Sequence, residues 1–314
     1  MKAQRDTFIG ELFELAKQDK DIIIISVDMG APSLDQWRQE LPNQFIAAGI
    51  SEQNAINVAA GLSRAGKKVY VYFMAAWVAR CFEQIRYSCS MANNPITILG
   101  NGVALGYAPA GPAHEPNEDI AYMRSINGIE ICSPSNTVTT KKLVKLTYED
   151  PKLRYIRLER NHASEMEEFD FGVKAPINLV RPGLNDNEND KNNHIALLSS
   201  GYMLGRAHKA WLELIKTYQI SLYDIWKIKP IDVDYFKQVF TGYTHIITLE
   251  EQTLDGGFGS AICELICDSE VNIKVLRLGL PERFIFENGT RDHLIDSNGL
   301  SVNDIINKIS NFVK

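Results

Sequence analysis

A charged residue stands at the mouth of an apolar helix. In AAGISEQNAINVAAGL, residues 47–62, Glu52 separates a small-residue turn from Ala55, Ile56, Val58, Ala59, Ala60 and Leu62. Those apolar positions cover most of a helical circumference, which predicts a buried helix rather than one lying on a surface. A carboxylate entering such a helix is desolvated, which raises its pKa unless something satisfies it. Two chemistries fit the position. One is ordinary helix-start chemistry, with Ser51 as N-cap and Glu52 in the first turn, where the helix dipole favours negative charge. The other is a carboxylic acid held in a buried site for proton work.

Other segments offer partners. FMAAWVARCFEQIRYSC, residues 73–89, puts Trp77 and Arg80 at a strand-to-helix junction with Phe82 a turn further on. An aromatic there is either core or a stacking face for a flat heterocycle. ALGYAPAGPAHEPNEDI, residues 104–120, is a loop rich in Gly, Pro and Ala that carries His114. Loops at the carboxyl ends of strands are where α/β sheets bind ligands, and a merely solvated histidine is the alternative. RYIRLER, residues 154–160, alternates, so Arg154 and Arg160 need not face the same way as Arg157; it is either an exposed charged edge or an anion site. DGGFGS, residues 255–260, opens a helix after a strand but lacks the Lys-Ser/Thr pair of a phosphate loop and the dinucleotide spacing. It reads as a tight turn with close helix packing. There is no Walker loop, GxGxxG after a strand, HExxH or nucleophile elbow.

These segments sit in a regular alternation of helices and strands. A helix over residues 3–18 precedes an apolar strand at 22–27, the Glu52 helix, a strand at 67–73, a helix at 77–92 and a strand at 95–100. A helix near 117–127, a strand at 129–134, a helix at 138–149 and a strand at 154–158 complete the first half. Short apolar strands separated by helices predict a mostly parallel sheet covered on both faces. RPGLNDNENDKNN, residues 181–193, is polar and aperiodic and reads as an exposed loop at a domain boundary. Strands at 194–201, 220–225, 245–251 and 272–279, with helices at 204–217, 232–240 and 258–268, then form a second, smaller α/β domain. The expected architecture is two doubly wound α/β domains, residues 1–180 and 194–314, joined by 181–193.

Composition agrees with that picture. The 314 residues are 45% hydrophobic and 23% charged, as in a globular chain with a substantial core. A net charge of -6 and the absence of a basic tract argue against nucleic acid as main partner. No apolar run reaches membrane-span length, and the first residues read as an amphipathic helix with acids rather than a targeting peptide. Five cysteines without CxxC spacing read as core fillers, not disulfides or a zinc site. A cytoplasmic home is expected.

Taken in order, GISEQNA, the Trp77–Arg80–EQ segment, GPAHEP, YIRLER and LEEQTLDGGFGS resemble the C-terminal two-thirds of transketolase-type, thiamine-diphosphate-dependent enzymes. The likeness runs from Arg5 to the LRLGLPERFIFENGT segment. It is nearest to the transketolase and deoxyxylulose-phosphate-synthase branch, and the beta subunits of 2-oxo-acid dehydrogenases share the same two domains. The resemblance implies a pyrimidine-binding domain followed by a small transketolase C-terminal-like domain. It implies that Glu52 hydrogen-bonds a ring nitrogen of the cofactor's aminopyrimidine, with the carboxyl kept protonated by an apolar pocket. Trp77 falls where the family has an aromatic against the pyrimidine, with Phe73 and Phe82 as second choices and Arg80 beside them. His114 matches a substrate-side histidine that assists proton transfer. Arg5 and Ser33 match residues that hold a sugar phosphate, and Arg160 or Arg157 supplies a further arginine.

The departures matter equally. The GDG motif of the magnesium and diphosphate site is absent, so the resemblance implies a partner subunit carrying GDG, thiamine diphosphate and Mg2+ at the interfaces, and an α2β2 heterotetramer. Gly100 or Asn101 stands where a phosphate-binding histidine would fall, and Ala110 where an acid reads a substrate hydroxyl. The expectation is transfer of a two-carbon ketol unit involving a non-standard sugar, with decarboxylation of a 2-oxo acid as the neighbouring alternative. A regulatory subunit without chemistry is disfavoured by the retained Glu52 and His114.

Overall fold

Four consecutive isoleucines open strand β1 (Ile22–Ser26) and show how the first half is built. Ile22 and Ile24 pack into one hydrophobic cluster, Ile23 and Ile25 into another, so the strand is buried on both faces. The computed structural model describes residues 3–28, 30–160, 169–170, 172–183 and 194–314. β2 (Phe45–Ala47), β3 (Lys68–Met74), β4 (Ile96–Asn101), β5 (Glu130–Cys132) and β6 (Arg154–Leu158) join β1 in a parallel sheet. A second sheet holds β7 (Asn178–Arg181), β8 (Ile195–Ser199) and β9 (Ile220–Asp224); β10 (Lys227–Lys229) leaves it, and β11 (His245–Thr253) and β12 (Lys274–Leu280) complete it. The sheet orders are β10-β5-β6-β4-β3-β1-β2 and β12-β11-β8-β9-β7. Only the edge strands β10 and β7 run antiparallel.

In the first half, α1 (Gln4–Ala16), α2 (Pro32–Glu40) and α6 (Thr137–Glu149) cover one face, with Phe8, Leu12, Trp37 and Leu143 against Tyr70 and Tyr72. The other face carries α3 (Glu52–Arg64), the short α4 (Phe82–Gln84) and α5 (Asp119–Arg124). That cluster runs without a break into the second half through Tyr223, Phe236 and Phe258. There α7 (Met203–Leu214) and α11 (Val302–Val313) pack on one side of the sheet, with α10 (Arg291–Ile295) beside them, and α8 (Val233–Phe240) and α9 (Phe258–Ser269) on the other. No helix among the described residues is long and apolar enough to cross a membrane.

Several expectations change here. β7 pairs with β9 in the second sheet, so residues 178–180 of the expected first domain pack with the second half, and residues 184–193 of the expected linker lie outside the described ones. β10 crosses back to pair with β5, so the two halves share a sheet. Residues 77–92 are not one α-helix but a 3-10 stretch (Ala75–Cys81), α4 and a π-helical turn (Ile85–Met91). The Arg80 carbonyl there accepts from Gln53 Nε2 at 3.0 Å. α3 is half-buried rather than buried all round, with Asn54, Asn57 and Val58 exposed. Cys267 is exposed, while Cys81, Cys89 and Cys132 are core.

Candidate functional site

In the first sheet, chain progression reverses between β1 and β3: β2 lies outward from β1 on one side, β3 and β4 on the other. The crevice beyond the carboxyl ends of the strands at such a point is the usual ligand site of an open α/β sheet. Glu52 follows β2, Trp77 and Arg80 follow β3, His114 follows β4 and Arg160 follows β6. The fold thus delivers residues from four loops to one rim.

Glu52 is the first residue of α3 and is 7% exposed. Ser51 does not cap the helix; its hydroxyl donates to the Ala48 carbonyl at 2.6 Å, fixing the turn that presents Glu52. Among the described residues no hydrogen-bond donor reaches the Glu52 carboxylate, and its charged partner is Arg80, Nη1 at 3.5 Å from Oε1. The pocket is therefore not purely apolar. The Arg80 guanidinium lies 4.4 Å from the Trp77 ring centre, and Trp77 meets the His114 imidazole edge-on at 5.5 Å. His114 Nδ1 is buried and has no hydrogen-bond partner among the described residues. A continuous line of contacts therefore runs from Glu52 through Arg80 and Trp77 to His114. Phe82 is half-buried against the core, and Phe73 is wholly inside it, so its ring offers no face to a ligand.

Beyond His114 stands Tyr107, ring centres 6.4 Å apart. Its hydroxyl accepts from Asn101 Nδ2 at 2.8 Å, and Arg160 stacks on its ring at 4.3 Å. Burial raises the Tyr107 pKa, and the positive charges of Arg160 and Arg5 oppose the rise. Arg5 and Ser33 meet through Asp6, which accepts from the Arg5 guanidinium at 3.0 and 2.9 Å and from Ser33 Oγ at 3.0 Å. Arg157 points elsewhere. It is buried and donates to Asp119 at 2.9 Å and to Ser133 Oγ at 3.1 Å. Burial works against its charge, yet Asp119, with Tyr155 and Glu159 adding, leaves its pKa raised. Of the two arginines left open by the alternation of β6, Arg160 reaches the rim and Arg157 serves the interior.

The second half pins the loop that carries Tyr107 and His114. Glu251 on β11 accepts from the Leu105 amide at 3.2 Å, Gln252 Nε2 donates to the Pro116 carbonyl at 3.1 Å, and the Thr253 amide donates to the Asn117 carbonyl at 2.9 Å. Arg291 locks the same junction, bridging Glu159 (2.5 Å) and Glu251 (2.6 Å). Within the loop, Glu115 is buried, and among the described residues neither of its carboxylate oxygens has a hydrogen-bond partner. Burial, with Glu251 and Glu287 adding, pushes it up to about 7. The glycine-rich DGGFGS turn binds no phosphate in this arrangement. The Glu250 carboxylate accepts from the amides of Phe258 (2.6 Å) and Gly259 (2.8 Å), where a phosphate would have to sit. Sequence reasoning missed Tyr107, Glu251 and Arg291; consecutive carboxylates inside the apolar HIITLEE strand are the signal that buried partners had to exist.

A partly exposed indole, a buried carboxyl without a hydrogen bond and an orphaned imidazole nitrogen suit a flat, nitrogen-rich heteroaromatic. Among the described residues no group of three or more His, Cys, Asp or Glu is placed to hold a metal ion. The family described as transketolase, pyrimidine binding domain, matches residues 2–165, and the transketolase C-terminal domain matches residues 187–305. The chain belongs to the transketolase family. It is 32% identical to one of the subunits of the apulose-4-phosphate transketolase of Phocaeicola vulgatus, over 100% of this chain and 98% of that one. It is 28% identical to the 1-deoxy-D-xylulose-5-phosphate synthase of Histophilus somni, of which it spans 47%. Among solved structures, a split-gene transketolase described as an inactive beta4 tetramer superposes with a TM-score of 0.86, at 25% identity, covering 99% of this chain and 98% of that one. Transketolase from Campylobacter jejuni shares the fold, with a TM-score of 0.82 at 18% identity, covering 98% of this chain and 46% of that one. The expected pyrimidine-binding and C-terminal domains are both present, and the whole chain resembles one subunit of a split transketolase.

Proposed function

We propose that this chain is the pyrimidine-binding subunit of a two-subunit transketolase that moves a two-carbon ketol unit between sugars. Its partner carries the GDG diphosphate motif, and the assembly is an α2β2 heterotetramer in the cytoplasm. The observation that carries the reading is Glu52: a buried carboxyl, free of hydrogen bonds among the described residues, at the rim beside Trp77 and Arg80. Thiamine diphosphate, when bound with Mg2+ held mainly by the partner, supplies a carbon nucleophile and electron sink that no side chain offers.

The chain's own residues do the rest. Glu52 holds a proton at its carboxyl against a ring nitrogen of the aminopyrimidine. Trp77 presents an indole for stacking, and Arg80, tied to both, fixes their geometry. His114, with one ring nitrogen unpartnered, hydrogen-bonds a substrate oxygen and moves a proton there. Arg5 and Arg160 flank Tyr107 and favour an anionic substrate end, with Ser33 orienting Arg5 through Asp6. The name of the apulose-4-phosphate relative supports a phosphorylated sugar outside the standard pair. Ile50, Val58, Tyr87 and Met91, apolar and exposed on and around α3, support coverage of this face by the partner.

Co-expression with a GDG-bearing subunit, followed by assays with thiamine diphosphate and Mg2+, tests the proposal. Ketol transfer by the pair and none by the isolated chain is expected. Pyruvate decarboxylation without ketol transfer, or ordinary turnover by the chain alone, would refute it.

A further inference from the structure

Gly102, just past β4, has φ +72°, and a Cβ built on it would lie 1.9 Å from Tyr107 Cε2 and 2.3 Å from Cδ2. The tyrosine ring therefore fills the space in which a side chain at the end of β4 would stand. It lies under the Arg160 guanidinium, at the rim where the loop after β4 emerges. We propose that Tyr107 is a specificity-determining residue whose hydroxyl donates to the anionic end of the substrate between Arg5 and Arg160. This rests on the ketol-transfer reading of the same site.

Four observations converge on it. The Tyr107 oxygen accepts from Asn101 Nδ2 at 2.8 Å, which leaves its own proton to be given away. Arg160, stacked at 4.3 Å, keeps its in-plane N–H donors at the rim, and among the described residues no carboxylate pairs with it. Tyr107 is only 8% exposed, so a hydrogen bond there is shielded from water. Its loop is held from behind, with the Leu105 amide on Glu251 and Gly106 against Arg291, so the ring is set before substrate arrives.

The test uses the two-subunit complex and calorimetric dissociation constants for ribose 5-phosphate and for ribose. Tyr107→Phe keeps the ring and should weaken ribose 5-phosphate roughly tenfold, the loss of one hydrogen bond to a charged group. Ribose affinity and Tm should stay near wild type, and Tyr107→Val should weaken the phosphate ester at least as much. Unchanged ribose 5-phosphate affinity in Tyr107→Phe, while Arg160→Ala loses it, overturns the assignment. Equal losses for both sugars overturn it too, because they mark general damage. Turnover in the same samples reports separately: intact phosphate discrimination without ketol transfer counts against the proposed function and leaves the Tyr107 assignment standing.

Discussion

Two charged regions of this molecule are built on opposite principles. At the junction of the halves the arginines are paired: Arg291 bridges Glu159 and Glu251, Arg157 holds Asp119, and Arg154 donates to Glu130 at 2.6 Å. At the rim, the polar groups are left short. Among the described residues, Glu52 has one cation at 3.5 Å, His114 Nδ1 has no hydrogen-bond partner, and Arg160 lies on a tyrosine ring. Buried charges cost too much to leave unpaired unless something else arrives to pair them. The satisfied region thus holds architecture, and under the proposed function the unsatisfied one is completed by cofactor, substrate and partner.

Breaking the satisfied region should hurt stability most. Arg291→Met strands two buried carboxylates and should cost ~3–5 kcal/mol in urea unfolding. A loss below ~1 kcal/mol would mean that the bridge is not structural. It should also loosen the loop from Leu105 onward, read as faster amide exchange there.

Glu115 sharpens the contrast through pH. Its pKa in the folded chain is raised from the ordinary 4.5 to about 7, so the folded state binds the proton more tightly than the unfolded one. Stability from this group is fully present below 4.5 and is lost as pH rises through about 7. Asp224 and Glu250, also held near 7 by burial, act in the same direction. Glu115→Gln should flatten part of that decline, measured as urea midpoints between the two pH limits; an unaltered slope would contradict the role given to its burial. At the small end, the exposed Lys145–Glu149 pair at 3.6 Å should count for little. Lys145→Ala is expected to change stability by at most ~0.5 kcal/mol, and a larger loss would blur the distinction between the two regions.

Much of the frame was legible in the residues. Apolar runs such as IIIIS and ITILGN mark central strands because both faces of a parallel strand are buried. α2 escaped because only Leu34 and Trp37 of its residues are buried, leaving little periodicity to read. β2, β7 and β10 escaped because they are edge strands of only three or four residues, and β10 pairs with a strand nearly a hundred residues away in sequence. Glu52 stood out by type and position, but those left helix-start chemistry and a buried acid both open, and it was the order of motifs that favoured the second. Tyr107 was not legible: its role depends on the missing Cβ of Gly102, which only the folded loop brings against it.

The central claim is that Glu52 is a proton-holding group for a bound cofactor and not a helix-start ornament. The direct measurement is ketol-transfer kcat of the two-subunit complex carrying Glu52→Gln, beside its circular dichroism and its association with the partner. The glutamine keeps size and removes the exchangeable carboxyl proton, and α3 gains nothing from Ser51 as a cap in either form. Activity reduced by orders of magnitude, with fold and assembly unchanged, is the predicted result. Near-normal turnover in that complex would contradict it.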